Sequence, residues 1–488
     1  MPEPQVTIIV VPRERFSHTE RTLEDIYEQT SVPFNLVYVS GKSPVHIQRY
    51  LELESQRKGF RLIPAARYLS PNEARNLGIR DAKTKYTVFL DNDALVSPQW
   101  LGALVQCAEE TGAWVVGPLY FIGEFEKQIV HMAGGTVHFK DHDGKRVLYE
   151  EQYFWNTPLA ALRDPLLRRS CGHLEFHCAL VRTDVFAKLG PLDEELLSVH
   201  EHIDFCMAVR RAGGTVFLEP KSRTTYIPPP PCNWWDLPFF MLRWSEDWNV
   251  STARHFNSKW EVSSVVNVTD TSNATHEDTI LRFARGHRRL MSGLRVSETD
   301  KDRPTSSLDQ AEFMIAMFQS VDREVFDLIL TTPERAPTES VQALSPQALI
   351  ERLPFAIENI ERNELIVMIE PCPAKRNQDP ALLRLDHLSS EKVETLKPFA
   401  FLTLETEPGE YQCWMAIDRA NWRDAANLRR LGKLSKDVGA DSGVRLAGSH
   451  NGKGSRVRLV ESCAGLMNTV ARLENQGVLP LIRNSVIY

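Results

Sequence analysis

Residues 86–93 read Tyr86-Thr87-Val88-Phe89-Leu90-Asp91-Asn92-Asp93, an apolar run that ends in two carboxylates. A near-continuous apolar segment of this length suits a strand covered on both faces, as in a parallel sheet. Ligands of open α/β sheets bind outside the carboxyl ends of such strands. Two acids at i and i+2 on the exit from a strand can converge on one hard cation. Magnesium or manganese takes oxygen ligands of this kind and keeps positions open for phosphate.

On either side of this run the chain alternates. Val6–Val11 is a second apolar strand, residues 18–30 a helix, Leu36–Ser40 a strand, 43–58 a helix and Phe60–Pro64 a strand. Pro71–Ala82 is a helix, and beyond the Asp91 strand come a helix over Pro98–Thr111 and a strand at Trp114–Val116. Strand and helix in strict alternation predict a doubly wound, mostly parallel sheet. Within the third helix, Arg75 of S-P-N-E-A-R-N-L-G-I falls near the same sheet edge, where it could pair with a phosphate.

Composition sets the outer limits. The 488 residues are 42% hydrophobic and 25% charged, which excludes a disordered, collagenous or coiled-coil chain. The formal charge of −7 excludes a globally basic nucleic-acid binder, though not a local basic patch. No apolar run reaches the roughly 18 residues of a membrane span, and MPEPQV lacks the pattern of a secretory signal. Eight cysteines without a C-x-x-C pair read as reduced thiols. The expectation is a cytoplasmic protein.

A third acidic element follows Leu192-Asp193-Glu194-Glu195. His200-Glu201-His202-Ile203-Asp204 opens a helix that ends at Arg210-Arg211-Ala212-Gly213-Gly214. A carboxylate at such a helix start can act as general base toward a hydroxyl, or simply favour the helix dipole. The H-E-H triplet is not read as zinc, because no third or fourth ligand stands at suitable spacing.

Taken in order, A-R-N-L-G-I, F-L-D-N-D, P-x-W-L, I-V-H-M-A-G-G, L-V-R-T-D-V-F-A-K-L-G-P-L-D-E-E and E-H-I-D-F-C-M-A-V-R-R-A-G-G resemble the family 2 glycosyltransferases over about residues 5–230. The resemblance implies a GT-A fold and inverting, hexosyltransferase-type transfer from a nucleoside-diphosphate sugar to an acceptor that could be a saccharide, a lipid-linked saccharide or a protein. Asp91 and Asp93 would hold Mn2+ or Mg2+; Arg75 and Asn92 would complete the donor site. Glu201, His202 or Asp204 would supply the base. The sequence departs from the family at four places, one of them V-Y-V-S-G-K-S-P after the second strand, which has no aspartate for the nucleotide base. His202 stands where an aspartate is usual, and V-V-P-R-E-R replaces a polar end to the first strand. Thr225-Tyr226 stands where many relatives carry a metal-binding histidine.

Pro228–Pro231 breaks the chain, and the aromatic run that follows reads chiefly as packing: Trp244 and Trp248 as core or interdomain contacts, and L-P-F-F-M-L at 237–242 as burial rather than membrane contact. The expected division is a GT-A domain over 1–265, a helix and polar linker over 266–307, and an α+β domain over 308–488. That last domain should contain a helix at Leu308–Val321 and strands at Phe326–Thr331, Leu365–Glu370, Ala400–Glu405 and Gln412–Ile417, with a polar helix over Trp422–Leu434. Its strings L-R-L-D-H-L, T-E-P-G-E-Y-Q-C-W and R-L-A-G-S-H-N resemble the primase-like domain of RepB-type plasmid replication proteins. The resemblance implies a nucleotide or nucleic-acid partner, with Asp386, Arg445, His450 and Lys453 as candidate residues. From Arg419 to Arg458 ten Lys/Arg face three Asp/Glu, a local +7 suited to phosphates. The alternative function is a nucleic-acid-binding replication protein whose transferase domain is auxiliary.

Overall fold

Val6–Val11 forms β1 at the centre of the main sheet, with all six residues buried. In this computed structural model it lies parallel to both β2 (Phe34–Gly41) and β4 (Tyr86–Asp91), while β3 (Arg61–Pro64) adds to β2. Three helices connect these strands: α1 (Thr19–Gln29), α2 (Val45–Lys58) and α3 (Pro71–Ile79). Ser70 caps α3 by accepting from the Glu73 amide, and Pro71 occupies the first turn, where its missing N–H costs nothing. A Cβ on Gly78 would stand 2.3 Å from Ile9 Cγ2, so the glycine of R-N-L-G-I is what seats α3 on β1.

The structure describes residues 3–142, 144–230, 232–267, 275–296, 304, 306–332, 337–363, 365–372, 380–418, 444, 445, 447, 456–468, 472, 473, 476, 486 and 487. The expected helix over 422–434 and the candidates His450 and Lys453 lie outside them, as does the side chain of Arg445. The chain divides into two units, Met1–Pro231 with Trp248–Phe283, and Cys232–Asp247 with Ala284–Tyr488. The division therefore crosses the chain more than once. The L-P-F-F-M-L run lies in helix Leu237–Arg243, is buried throughout, and packs on helix Ser307–Ser320 of the second unit.

In the first unit the sheet is mixed, not purely parallel. Strand Cys178–Arg182 inserts antiparallel between β4 and strand Val115–Ile122. Strand Val216–Tyr226 then runs parallel to Val115–Ile122 and reaches the short strand Ala94–Val96. The hairpin Gly135–His142/Lys145–Gln152 pairs with Ser264–Asn267 as a separate three-stranded sheet. Register has one consequence for function. Val11 is paired with Asp91, so Arg13-Glu14-Arg15 and Asn92-Asp93 leave adjacent strands side by side.

The second unit is α+β, as expected. Helix Ser307–Ser320, capped by Ser306, is buried from Ala311 onward. Strands Phe326–Thr331, Ile366–Pro371, Leu402–Glu407 and Glu410–Ile417 match the expected positions within one or two residues at most ends. They belong to a four-stranded and a seven-stranded sheet whose described pairings are antiparallel, apart from the short strand Met467–Asn468. Among the described residues no helix is long and apolar enough to cross a membrane.

Candidate active site

The two acids at the end of β4 are buried and differ in their partners. Asp91 is surrounded by cationic or donor groups: Arg75 Nη2 at 3.0 Å from Oδ1, His177 Nδ1 at 3.1 Å and Arg13 Nε at 3.5 Å from Oδ2. Asp93 is fully buried, yet neither carboxylate oxygen has a hydrogen-bond partner; Arg15 Nε stands 3.7 Å from Oδ2. Burial pushes the Asp93 carboxyl up to about 7 despite the pull of Arg15. One ligand atom each from Asp91, Asp93 and His177 lie within 4.8 Å of one another, close enough for a single metal ion.

His177 is the residue that the sequence reading missed. It precedes strand Cys178–Arg182, and its carbonyl accepts from the Asp91 amide. Its ring stacks on Tyr226, with centroids 4.2 Å apart and planes at 14°. Burial, reinforced by Arg13, holds its pKa well below the usual imidazole range, so the ring is neutral. Where Thr225-Tyr226 lacks a histidine, Tyr226 provides the stacking surface for His177, which lies beside Asp91. The only sequence signal was the His177-Cys178 pair ahead of an apolar run.

The V-V-P-R-E-R departure also has a structural role. Arg13 Nη1 donates to the Tyr226 hydroxyl at 3.0 Å and lies 3.0 Å from Glu14, while the Tyr226 hydroxyl donates to Glu14. Arg15 donates to the Ile227 carbonyl. Asn92, expected at the donor, instead turns its amide to this loop. It accepts from the Arg13 amide and donates to the Arg15 carbonyl at 2.7 Å. The loop and the Asp91–Asp93 turn are therefore tied together by Asn92.

The three candidate bases separate. Glu201 is buried, with Oε1 3.7 Å from Arg75 Nη1, so Arg75 spans Glu201 and Asp91. Asp204 faces elsewhere: Lys259 Nζ lies within 2.9 Å of each of its oxygens, and Trp260 Nε1 donates to it at 2.8 Å. His202 Nδ1 is 3.6 Å from Glu175 Oε2 and its ring is stacked near His173. In the second unit Asp386 accepts from Arg384 Nε at 2.9 Å and from Gln412. His387 follows it with a φ of 53° at a register shift of the strand pair, and its side chain is exposed.

Residues 7–190 match the family model described as Glycosyl transferase family 2. A curated relative, an uncharacterized protein y4gI of Sinorhizobium fredii (strain NBRC 101917 / NGR234), is 24% identical over 220 residues. That match covers 43% of this chain, and the chain spans only 23% of the relative's length. Similar solved structures include GalNAc-T7 with UDP, GalNAc and Mn2+ (16% identity, 58% of this chain and 54% of that one, TM-score 0.37). Another is the mannosyltransferase PcManGT from Pyrobaculum calidifontis with GDP-Man and Mn2+ (12% identity, 59% and 75%, TM-score 0.36).

Proposed function

We propose that the first unit is an inverting glycosyltransferase that moves a sugar from a nucleoside diphosphate to an acceptor hydroxyl. The observation that carries this reading is the buried Asp91, Asp93 and His177 cluster, in which neither carboxylate oxygen of Asp93 accepts a hydrogen bond. A cluster of two acids and one imidazole suits manganese or magnesium at the carboxyl end of β4. When bound, the ion supplies charge neutralisation of the departing diphosphate.

The chain's own residues do the rest. Arg75 holds Asp91 in place and leaves Glu201 on the same side of the site. Glu201 accepts the acceptor's proton as that oxygen forms its bond to the anomeric carbon and the bond to the diphosphate breaks. Asp204, engaged by Lys259 and Trp260, serves to fix the helix start rather than to move a proton.

For residues 308–488 the proposal is a primase-like module that binds a nucleotide or nucleic acid, and its support is the sequence strings alone. Asp386 has its carboxylate occupied by Arg384 and Gln412, and among the described residues no acidic cluster with metal-ligand spacing stands beside it. Binding fits that arrangement better than nucleotidyl transfer.

The test is release of nucleoside diphosphate by the full chain from a panel of UDP-, GDP- and dTDP-sugars, with and without Mn2+. The reading expects a metal-dependent signal for at least one donor, lost in Asp91→Asn and Asp93→Asn. Metal-independent turnover that survives both substitutions would overturn it.

A further inference from the structure

A second cluster lies in the first unit, on elements that the cation site at β4 does not use. Glu150 belongs to strand Lys145–Gln152, His173 follows strand Arg169–Cys171, and His202 sits in the first turn of helix Glu201–Arg211. One ligand atom from each lies within 4.8 Å of the others. Sequence spacing hides the set, since 23 and 29 residues separate its members in turn.

We propose that Glu150, His173 and His202 form a second divalent-cation site, of the zinc-binding type.

Three observations support it. First, His173 Nε2 and Glu150 Oε1 are 3.3 Å apart. That is long for a charge-assisted bond, which runs about 2.7–2.9 Å. It matches the ligand-to-ligand spacing of about 3.3–3.4 Å that bonds of ~2.0–2.1 Å make in a tetrahedron. Second, His202 Nε2 is buried and has no hydrogen-bond partner, while its Nδ1 faces Glu175 Oε2 at 3.6 Å. A carboxylate behind one ring nitrogen orients the other toward a metal. Gln152 Nε2 ties this outer carboxylate to the inner one, at 3.3 Å from Glu175 Oε1 and 3.2 Å from Glu150 Oε1.

Third, the backbone makes room for the ring. A Cβ on Gly135 would fall 2.2 Å from His173 Cε1, so the second glycine of I-V-H-M-A-G-G is the seat of His173. His173 itself is wholly buried, where an imidazole pair without a cation would leave polar nitrogens unsatisfied. Two imidazoles and one carboxylate leave one tetrahedral position open, as in zinc sites that meet an oxygen ligand such as water or a hydroxyl. The site does not depend on the transfer reaction proposed above.

The test uses the chelator-treated full chain carrying Asp91→Asn and Asp93→Asn, titrated with zinc alone by calorimetry. One equivalent of zinc is expected to bind, with affinity falling at least a hundredfold on adding Glu150→Gln or His202→Ala. Cobalt(II) in the same background should give visible absorption of tetrahedral intensity, lost in the same two variants. Because Glu150 is buried, folding of each variant is followed by thermal melts. Zinc should raise the Tm of the Asp91→Asn/Asp93→Asn chain and leave that of its His202→Ala derivative unmoved. Absence of a bound equivalent, or equal affinity and equal Tm rise with and without Glu150 and His202, overturns the proposal.

Discussion

His177 Nδ1 lies 3.1 Å from Asp91 Oδ2 across 86 residues of sequence, because strand Cys178–Arg182 inserts antiparallel beside β4. Removing the imidazole should be felt first in metal binding at the Asp91, Asp93 and His177 cluster. His177→Ala is expected to weaken Mn2+ binding at least tenfold, about 1.4 kcal/mol. Calorimetric titration of Mn2+ checks it, with unchanged affinity as the contrary result.

Arg75 is buried between two carboxylates, Asp91 and Glu201. Arg75→Ala removes the cation between them, and breaking a buried pair in this way costs about 3–5 kcal/mol. Urea denaturation should show that loss. Arg75→Lys should recover part of the stability, since the charge returns without the planar fork.

Glu201 and Asp204 are separable by measurement. Glu201→Gln should lower kcat by roughly 10²–10⁴-fold while leaving donor affinity in place. Asp204→Asn should act on stability instead, because its oxygens hold Lys259 and Trp260. A Tm drop in Asp204→Asn with kcat intact, beside the reverse pattern in Glu201→Gln, is the expected result. Equal loss of kcat in both would refute the assignment.

The second unit should carry its own pH signature. Burial pushes the Glu324 carboxyl up to about 8 from 4.5, against the opposing pull of Arg288 3.3 Å away. The folded state therefore holds a proton that the unfolded chain has already released. Its contribution to stability is complete below about pH 4.5 and is lost as pH rises through about 8. Urea midpoints from pH 5 to 9 should fall more steeply in the wild type than in Glu324→Gln. Parallel profiles would show that Glu324 does not titrate in this window.

Much of the first unit was legible because its signals are local. Continuous apolar runs at Val6–Val11 and Tyr86–Leu90 need no partner to be read as buried strands, and the Ser70-Pro71 start of α3 is a matter of adjacent residues. The acids Asp91 and Asp93 were legible for the same reason: their spacing and their place at a strand end lie in one short segment. The antiparallel strand Cys178–Arg182 was not, since an apolar strand has no direction until it is paired. With it went His177, and with the hairpin Lys145–Gln152 went Glu150. The choice between Glu201 and Asp204 was equally closed, because three residues along a helix turn put each carboxylate against different neighbours, Arg75 for one and Lys259 for the other.

By itself, the sequence determined that β1 and β4 are buried strands, that two carboxylates stand at the end of β4, and that an α+β unit follows. Local patterning is sufficient for those, since burial and chain exit depend on residues next to one another. Only the tertiary structure decided which imidazole meets those carboxylates, which acid faces Arg75, and that Glu150, His173 and His202 share one place. Those are matters of strand order and register, in which contacts between distant segments follow from pairing and not from spacing.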